Sequence, residues 1–290
     1  MIQRLLEKKF GLKERGATTH RRQGLSAHDA APQLLLRVLT YNIHHGRGTD
    51  RKVDLDRIAQ VIAHENPDIV AIQEIERFRH RTQRVDQPRE LAQKLGMNVV
   101  FARVRDHRTT DHHSHAAYGN AILSRFPIKE HNHYDLTFSK QCEPRGCLHA
   151  RIEAMGISLH VFCVHLGLRW RERDYQIARL MSDEVLGHPR FHSGPRILLG
   201  DFNNWFPVKS ARLLREQFKD ACRVTGRKRI NTFGHPITYL SLDYVFVSPE
   251  ITVLSCDVSR QRLARLASDH RPLVCQLAVP MVLGPETAGA

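Results

Sequence analysis

The sequence has no apolar segment of the length that crosses a membrane. Its best apolar runs, such as residues 34–39, have the length of a β-strand and fall far short of the roughly 20 residues of a transmembrane helix. Residues 1–24 also lack the apolar block of a secretory signal peptide. We therefore expect a cytoplasmic protein with neither a signal peptide nor a transmembrane segment.

The six cysteines do not form the pattern of a disulfide framework. They occur at irregular positions, and none belongs to a Cys-x-x-Cys pair. Disulfide frameworks are typical of small secreted chains, whereas this chain has 290 residues. The cysteines are therefore predicted to be reduced thiols in the core or on the surface, which agrees with a cytoplasmic location.

Acidic residues are few relative to basic ones. There are 44 Lys and Arg against 30 Asp and Glu, and the formal net charge is +14. Residues 1–36 contain seven basic and three acidic residues, so +4 of this charge lies there and +10 on the remainder. A basic surface favours polyanions, either nucleic acid or an anionic membrane surface. The alternative is that the charge serves solubility alone, and the sequence indicates no protein partner.

The apolar pattern divides the chain into three parts. A flexible basic segment is predicted over residues 1–33, with an amphipathic helix over residues 2–12 as the alternative. A single globular domain is predicted over residues 34–279, and a disordered tail over residues 280–290. Apolar runs predict strands within residues 34–41, 68–73, 98–102, 120–124, 148–154, 157–164, 196–199, 243–247, 251–258 and 273–277. Helical spacing follows Asp54 and occurs over residues 88–95, 173–186 and 209–218, while residues 103–118 and 224–241 are predicted to be mobile loops.

These elements favour mixed β-sheets. Helices interleave with strands, but hairpins also occur, as at Met155-Gly156 between two adjacent strands. Two sheets packed face to face, with helices covering their outer faces, would satisfy this order of elements.

Polar groups able to bind metal or phosphate stand repeatedly at strand ends. They are, in chain order, Asn42, Glu74, His165, Asp201 with Asn203, Asp243, and Asp269 with His270. Any one of them has a simpler explanation, because strand ends are polar where they meet water. Six occurrences rich in Asn, Asp, Glu and His instead indicate a shared pocket, provided that the strands converge at one rim.

The motifs around these residues form a known series. It runs Tyr41-Asn42-Ile43, Gln73-Glu74, residues 118–124 (YGNAILS), Val164-His165-Leu166, residues 200–203 (GDFN), residues 242–246 (LDYVF) and Ser268-Asp269-His270. In order and spacing it resembles the motifs of the endonuclease/exonuclease/phosphatase family, to which DNase I belongs, over roughly residues 35–278. The resemblance implies a DNase I-like, four-layer α/β/β/α sandwich and a metal-dependent phosphoric-ester hydrolase. The strand pattern independently agrees with that fold.

The resemblance places the metal site at Asn42, Glu74 and Asp269. Glu74 would be the principal ligand, because a carboxylate is the hard oxygen donor that Mg²⁺ or Mn²⁺ prefers. Asn42 would supply an amide oxygen or orient Glu74, and Asp269 would join through water. Taken alone, Glu74 has the alternative of pairing with Arg77 or Arg79.

The resemblance assigns the catalytic roles to His165, Asp201, Asn203, Asp243 and His270. Asp201 and Asn203 would face the phosphate, since a spacing of two along an extended chain puts both on one side. His270 would be oriented by Asp243, and either His270 or Asp201 would remove the proton from water. His165 would contact the phosphate or assist the leaving group.

Three further residues are predicted to line the phosphate side. Tyr118 and Asn120 belong to the motif series, and Arg145 is a candidate clamp because guanidinium binds phosphate through two parallel hydrogen bonds. For Arg145 the alternative is an ordinary surface arginine. The histidines at 44 and 45 and at 112, 113 and 115 suggest a transition-metal site, but a solvated loop is the preferred interpretation of both groups.

The sequence therefore predicts a phosphoesterase and leaves its substrate open. His165, and His44 where abasic-site endonucleases carry Asp, favour the branch that resembles DNase I, sphingomyelinases and inositol phosphatases. A nuclease is the leading prediction, and a phospholipid-headgroup phosphodiesterase or a sugar or inositol phosphatase is the alternative. Aromatic platforms for bases are scarce, with candidates at Trp170, Trp205 and Phe206. A non-catalytic binding relative is the most distant alternative, because Glu74, Asp201 and His270 are all present.

Overall fold

A computed structural model describes residues 32–107, 116–192, 194–204, 211–227, 230–234 and 237–281. These residues belong to the compact unit that begins at Pro32. Of the segment predicted to be flexible (residues 1–33), residues 1–31 lie outside the described residues. Of the predicted tail (residues 280–290), residues 282–290 lie outside them, whereas Pro280 is the last residue of a strand. None of the described helices is both long and apolar enough to cross a membrane. All six cysteines lie within the described part of the chain and are free thiols.

The described strands form two six-stranded mixed sheets. Sheet 1 has the order β11-β12-β1-β2-β4-β3 and sheet 2 the order β5-β6-β7-β8-β10-β9. The strands are β1 (Gln33–Asn42), β2 (Ile69–Arg77), β3 (Asn98–His107), β4 (Ala116–Ser124), β5 (Ile128–Asp135), β6 (Gly146–Ala154), β7 (Ile157–His165), β8 (Arg196–Asp201), β9 (Lys219–Asp220), β10 (Asp243–Val247), β11 (Thr252–Val258) and β12 (Leu273–Pro280).

Most of the described helices lie on the outer faces of the sheets, whereas the short helix at residues 221–224 packs against the central layer. They are α1 (Leu55–Glu65), α2 (Gln87–Leu95), α3 (Trp170–Leu180), α4 (Ala211–Gln217), α5 (Ala221–Val224) and α6 (Arg262–Ala267). Side chains that cap the free N–H groups fix the starts of α1 and α2: Asp54 accepts from the amide of Arg57, and Asp86 from the amide of Arg89. Left-handed residues end both helices, Asn66 after α1 and Gly96 after α2.

Three apolar layers hold the four structural layers together. The central one packs the inner faces of both sheets, for example Val38 and Ile69 against Leu159 and Leu199. A second buries α1, α2 and α6 on the outer face of sheet 1, and a third buries α3 and α4 on sheet 2. The predicted α/β/β/α sandwich is therefore confirmed.

Several local predictions differ from the structure. A helix was predicted over residues 173–186, but α3 ends at Leu180. Beyond it the chain turns, and the N–H of Leu186 donates to the Leu180 carbonyl. The turn that follows buries Val185 and Leu186 without helical geometry. Strands β3 and β4 extend into the predicted loop at residues 103–118, of which residues 108–115 lie outside the described part. The hairpin at Met155-Gly156 is confirmed by the pairing of Ala154 with Ile157.

Candidate active site

Strand direction brings the predicted site residues to one edge of the sandwich. The parallel strands β1 and β2 end at the edge where the antiparallel strands β4 and β12 begin. In sheet 2, β7 and β8 end at the edge where β6 and β10 begin. In register, Asp201 lies directly between His165 on β7 and Asp243 on β10.

Gly200 permits the close approach that puts Asp201 beside His165. Its φ of 149° lies in a region that residues with a side chain rarely adopt. A Cβ atom at this position would lie 2.0 Å from the Val164 carbonyl oxygen. The glycine of the GDFN motif is thus required by packing between β7 and β8.

A buried cluster of two carboxylates and two histidines forms the centre of the site. His270 Nδ1 lies 2.8 Å from Asp243 Oδ2. Asp201 Oδ2 lies 3.6 Å from His270 Nε2 and 3.6 Å from His165 Nε2. The second oxygen of Asp243, Oδ1, is buried without a hydrogen-bond partner among the described residues. Asp201 therefore stands between two imidazoles, of which one is paired with a further carboxylate.

Asp201 and the two histidines beside it differ in protonation. Burial lowers the pKa of His270, but the attraction of Asp243 and Asp201 outweighs it and raises that pKa to about 10. Burial raises the pKa of Asp201 to about 7, against the opposing attraction of His270. Burial, reinforced by the charges of Arg145 and His270, lowers the pKa of His165 well below its usual value. Near neutral pH, His270 is a cation, His165 is neutral, and Asp201 exchanges its proton readily.

Glu74 is directed to the site by an irregularity in β2. The register between β2 and β4 shifts between Ile72 and Ile75, and Glu74 within this bulge has a φ of 58°. Its Oε1 accepts a hydrogen bond from Asn42 Nδ2 at 3.0 Å. The alternative pairings do not form, because Arg77 pairs with Asp86 and Arg79 with the buried Glu76.

Asn42 joins the two halves of the site. Its Nδ2 also donates to Asp201 Oδ2 at 3.1 Å, and its Oδ1 accepts from the amide of His44 at 3.0 Å. Since the amide nitrogen faces both carboxylates, this geometry favours the interpretation that Asn42 orients Glu74. Asp269 is partly exposed, and its Oδ1 lies 3.8 Å from His44 Nδ1.

The phosphate-side candidates lie between the two sheets. Arg145 is 5% exposed, so it is not an ordinary surface arginine. Its Nη2 donates to Glu143 at 2.9 Å, while Nε and Nη1 are buried with no hydrogen-bond partner among the described residues. Asn120 Nδ2 donates to the Gly146 carbonyl at 3.2 Å and thereby fixes the turn that carries Arg145. Tyr118 is buried close to both Glu74 and Arg145.

Asn203 is placed differently from the prediction. The chain leaves the extended conformation after Asp201, and Asn203 has a left-handed φ of 47°. Its amide donates to Asp201 Oδ1 at 2.9 Å, and its Nδ2 donates to the Leu166 carbonyl at 2.9 Å. The premise of an extended chain is therefore wrong, although Asn203 is buried beside Asp201 and supports the segment that follows His165.

Two structural supports of the site, Thr232 and Ser268, were not among the predicted site residues. Thr232 Oγ1 accepts from the amide of Asp243 at 3.3 Å, although it lies in an irregular segment. Ser268 Oγ donates to the Asn42 carbonyl and accepts from the amide of His270, so it joins β1 to the turn before β12. Only the Ser-Asp-His motif pointed to Ser268, and nothing in the sequence pointed to Thr232.

The prediction of a solvated loop at His44 and His45 is wrong. Both residues lie in a short 3-10 turn after β1, and His45 is 4% exposed. The apolar β1 brings this turn into the site, and Gln87 Nε2 holds it by donating to the His45 carbonyl at 2.8 Å. The histidines at 112, 113 and 115 lie outside the described residues, as do Trp205 and Phe206.

Sequence comparison now decides the family. A sequence model of the Endonuclease/Exonuclease/phosphatase family matches residues 39–270. The chain belongs to this family. It is also similar to the Escherichia coli protein YbhP, with 30% identity over 264 residues that cover 86% of this chain and 98% of YbhP. That relative is described only as an uncharacterized protein.

Solved structures of the endonuclease/exonuclease/phosphatase family share the fold. A family protein from Beutenbergia cavernae superposes with a TM-score of 0.67 and 24% identity, covering 84% of this chain and 72% of that one. A mannosyl-6-phosphatase from Bacteroides thetaiotaomicron superposes with a TM-score of 0.63 and 21% identity, covering 83% of this chain and 99% of that one. At these identities the likeness establishes the fold alone.

Proposed function

We propose that this chain is a divalent-metal-dependent hydrolase of phosphoesters that activates water for attack on phosphorus. The observation that carries the proposal is the position of Asp201, 3.6 Å from both His165 Nε2 and His270 Nε2 in a buried cluster. A phosphate ester resists water because both partners are electron-rich, so an enzyme must both deprotonate water and stabilise negative charge. The cluster contains one group suited to each task.

Asp201 is the group suited to accept the proton. Its pKa of about 7 lets it be ionised at neutral pH while remaining basic enough to deprotonate a polarised water molecule. His270 is held as a cation by Asp243 and therefore cannot accept a proton at this pH. We propose Asp201 as the general base and His270 as a cation that stabilises charge developing on the phosphoryl oxygens.

His165 and Arg145 complete the phosphate side of the proposal. A neutral, buried His165 can donate one hydrogen bond to a phosphoryl oxygen but is a poor proton donor to a leaving group. Two groups of the Arg145 guanidinium, Nε and Nη1, have no hydrogen-bond partner among the described residues, so each can donate to a phosphoryl oxygen. Both residues are therefore proposed to contact phosphate.

Glu74 is the proposed anchor of the metal ion, with Asn42 orienting it and Asp269 nearby. The donor chemistry fits a divalent cation, because Glu74 carries a carboxylate, is partly exposed and is held by an amide donor. Mg²⁺ or Mn²⁺ is the ion that the sequence predicts, and when bound it would neutralise charge on the phosphoryl oxygens.

The substrate class is proposed to be a phosphodiester, and a nucleic acid is the first candidate because of the net charge of +14. A phospholipid at an anionic membrane is the second candidate, supported by the surface beside His165. Leu168 and Trp170 are 62% and 58% exposed and alternate with Arg169 and Arg171. Apolar and aromatic side chains flanked by arginine are suited to the interface of an anionic membrane.

This surface is held in a fixed position relative to the site. Arg173 on α3 is 2% exposed and donates to the carbonyls of Gly167 and Leu168. Gln176 accepts from the amide of Gly167 at 2.7 Å. Leu168 and Trp170 therefore lie on a segment that these hydrogen bonds fix in place, directly after the strand that carries His165 and at the start of α3.

A substrate panel tests the proposal. Plasmid DNA, RNA, phospholipid in anionic vesicles, a short-chain soluble phospholipid, and sugar and inositol phosphates are each incubated with Mg²⁺, with Mn²⁺ and with EDTA. We expect turnover of one class that EDTA abolishes and that Asp201→Asn lowers by about 100-fold to 10,000-fold. Full activity of Asp201→Asn would contradict the proposal.

The two phosphodiester candidates are separated by Trp170→Ala combined with Leu168→Ser. If the substrate is membrane phospholipid, this double variant loses activity on vesicles but retains activity on the short-chain phospholipid. If the substrate is nucleic acid, wild-type enzyme cleaves DNA or RNA and leaves both lipids intact.

A further inference from the structure

Three potential metal ligands, one of them the proposed anchor Glu74, lie close together. One ring nitrogen each from His44 and His45 and a carboxylate oxygen of Glu74 all lie within 4.8 Å of one another. Ligand atoms that share one ion at about 2.1 Å lie about 3–4 Å apart, so the spacing of these three atoms is close to that of a bound set. The two histidines are adjacent on the turn after β1, and Glu74 lies on the neighbouring strand β2.

All three residues have a strained backbone. The φ angles of His44, His45 and Glu74 are 46°, 48° and 58°, in the left-handed region that residues with a side chain seldom adopt. Each such residue carries a conformational cost, and such strain persists where the surroundings enforce it. Here Asn42 Oδ1 accepts from the amide of His44, and Gln87 donates to the His45 carbonyl. The fold therefore enforces a geometry that brings the three side chains together.

His45 is buried without satisfying its polar atoms. The residue is 4% exposed, and its Nδ1 has no hydrogen-bond partner among the described residues. A buried polar atom without a partner destabilises the folded state. A coordinated cation would satisfy the ring. Arg47, Arg79 and Arg81 lie close enough for their charges to act against a cation at His45, and Glu76, which pairs with Arg79 and Arg81, offsets part of this repulsion. The carboxylate of Glu74 supplies the negative charge within the ligand set itself.

The donor set differs from that of a magnesium site. Mg²⁺ prefers carboxylates and water, whereas imidazole nitrogens favour Zn²⁺, Fe²⁺, Ni²⁺ and related ions such as Co²⁺. We infer that His44, His45 and Glu74 bind one borderline divalent transition-metal ion, so this chain prefers such an ion to Mg²⁺. This inference rests on the proposed function, because it uses Glu74 as the metal anchor, and it adds two imidazole ligands that set the identity of the metal.

Cobalt binding tests the inference without an activity assay. The full chain is purified without a histidine tag, stripped with EDTA and titrated with Co²⁺ and with Mg²⁺ by calorimetry and visible absorption. We expect one Co²⁺ per chain, with an absorption spectrum typical of nitrogen ligation and an affinity at least about 10-fold above that for Mg²⁺. His45→Gln and His44→Gln should each weaken Co²⁺ binding by about 10-fold or more and leave Mg²⁺ binding nearly unchanged.

Two controls make the result specific. His131→Gln removes an exposed histidine on β5 and should bind Co²⁺ as the wild type does. Circular dichroism checks that each variant is folded, and because His44 is less buried than His45, its variant retains the test if His45→Gln fails to fold. Wild-type Co²⁺ binding in both His44→Gln and His45→Gln would overturn the inference, as would equal affinity for Mg²⁺ and Co²⁺ in the wild type.

The same titration in Asp201→Asn separates this inference from the proposed function. If Co²⁺ binds as expected but no phosphoester is hydrolysed, the metal site stands and the proposed function fails. If Asp201→Asn abolishes hydrolysis while His44→Gln and His45→Gln leave the Co²⁺ affinity unchanged, the proposed function stands and the two histidines are not metal ligands.

Discussion

Replacing Asp243 by Asn removes one charge from the buried pair with His270 and keeps its shape. The atoms Asp243 Oδ2 and His270 Nδ1 are 2.8 Å apart. At an effective dielectric constant of about 20, Coulomb's law gives about 6 kcal/mol for two unit charges at this distance, or about 4 pKa units. The pKa of His270, about 10 in the intact site, should fall to about 6.

The sign of the effect on activity follows from the proposed roles. Activity requires ionised Asp201, so it rises with pH through about 7, and it requires protonated His270, so it is lost as pH rises through about 10. In Asp243→Asn the second limb should move to about pH 6, below the first. At about pH 7.5 only a few per cent of His270 would be protonated, which lowers kcat/KM by roughly 30-fold.

Two measurements check this prediction. The pH dependence of kcat/KM should change from a plateau to a low, narrow maximum, and the imidazole NMR signals of His270 should titrate near pH 6. Asp220→Asn serves as a matched control, because Asp220 is a buried carboxylate in the same sheet that accepts hydrogen bonds from the amides of Cys222 and Arg223 at the start of α5. If His270 still titrates above about pH 9 in Asp243→Asn, the electrostatic account of the site is refuted.

Two further substitutions test the phosphate clamp and the packing beneath the site. Arg145→Lys keeps the charge but loses the planar guanidinium with its Nε and Nη1 donors, so kcat/KM should fall by about 10-fold to 100-fold while Arg151→Lys, at a partly exposed ion pair, has little effect. Unchanged kinetics of Arg145→Lys would contradict the clamp. Gly200→Ala should lower the free energy of unfolding by about 2–4 kcal/mol in urea, because its Cβ would meet the Val164 carbonyl at 2.0 Å. Gly226→Ala, with nothing within 4 Å, should cost only about 1 kcal/mol, and equal losses in both would rule out the packing explanation.

Much of the fold could be predicted because buried strands carry a strong local signal. The runs that became β1, β2, β7 and β8 are apolar on both faces, as expected for strands covered on each side. Strand β5 was not predicted because it is an edge strand with mostly polar, exposed residues, and nothing local distinguishes it from a loop. Its identity depends on pairing with β6, which is a long-range property.

The site could be predicted as a set of residues but not as a geometry. Polar groups at the ends of apolar runs were visible in the sequence, whereas the register that puts His165 and Asp243 on either side of Asp201 depends on strand order. The burial of His45 and Arg145 was also not predictable. Both lie in irregular segments, where no periodic pattern indicates which side chains point inward.

The topology also explains how one site can combine the proposed metal binding with the proposed proton transfer. Sheet 1 supplies Glu74 and the turn with His44 and His45, whereas sheet 2 supplies His165, Asp201 and Asp243. The halves meet at two polar contacts, Asn42 with Asp201 at 3.1 Å and His270 with Asp243 at 2.8 Å. Because the apolar core between the sheets is close-packed, it fixes the separation of the proposed metal anchor and the proposed base. We therefore expect the cobalt affinity to respond to substitutions on sheet 1, at His44 and His45. The pH profile should respond to Asp243→Asn on sheet 2.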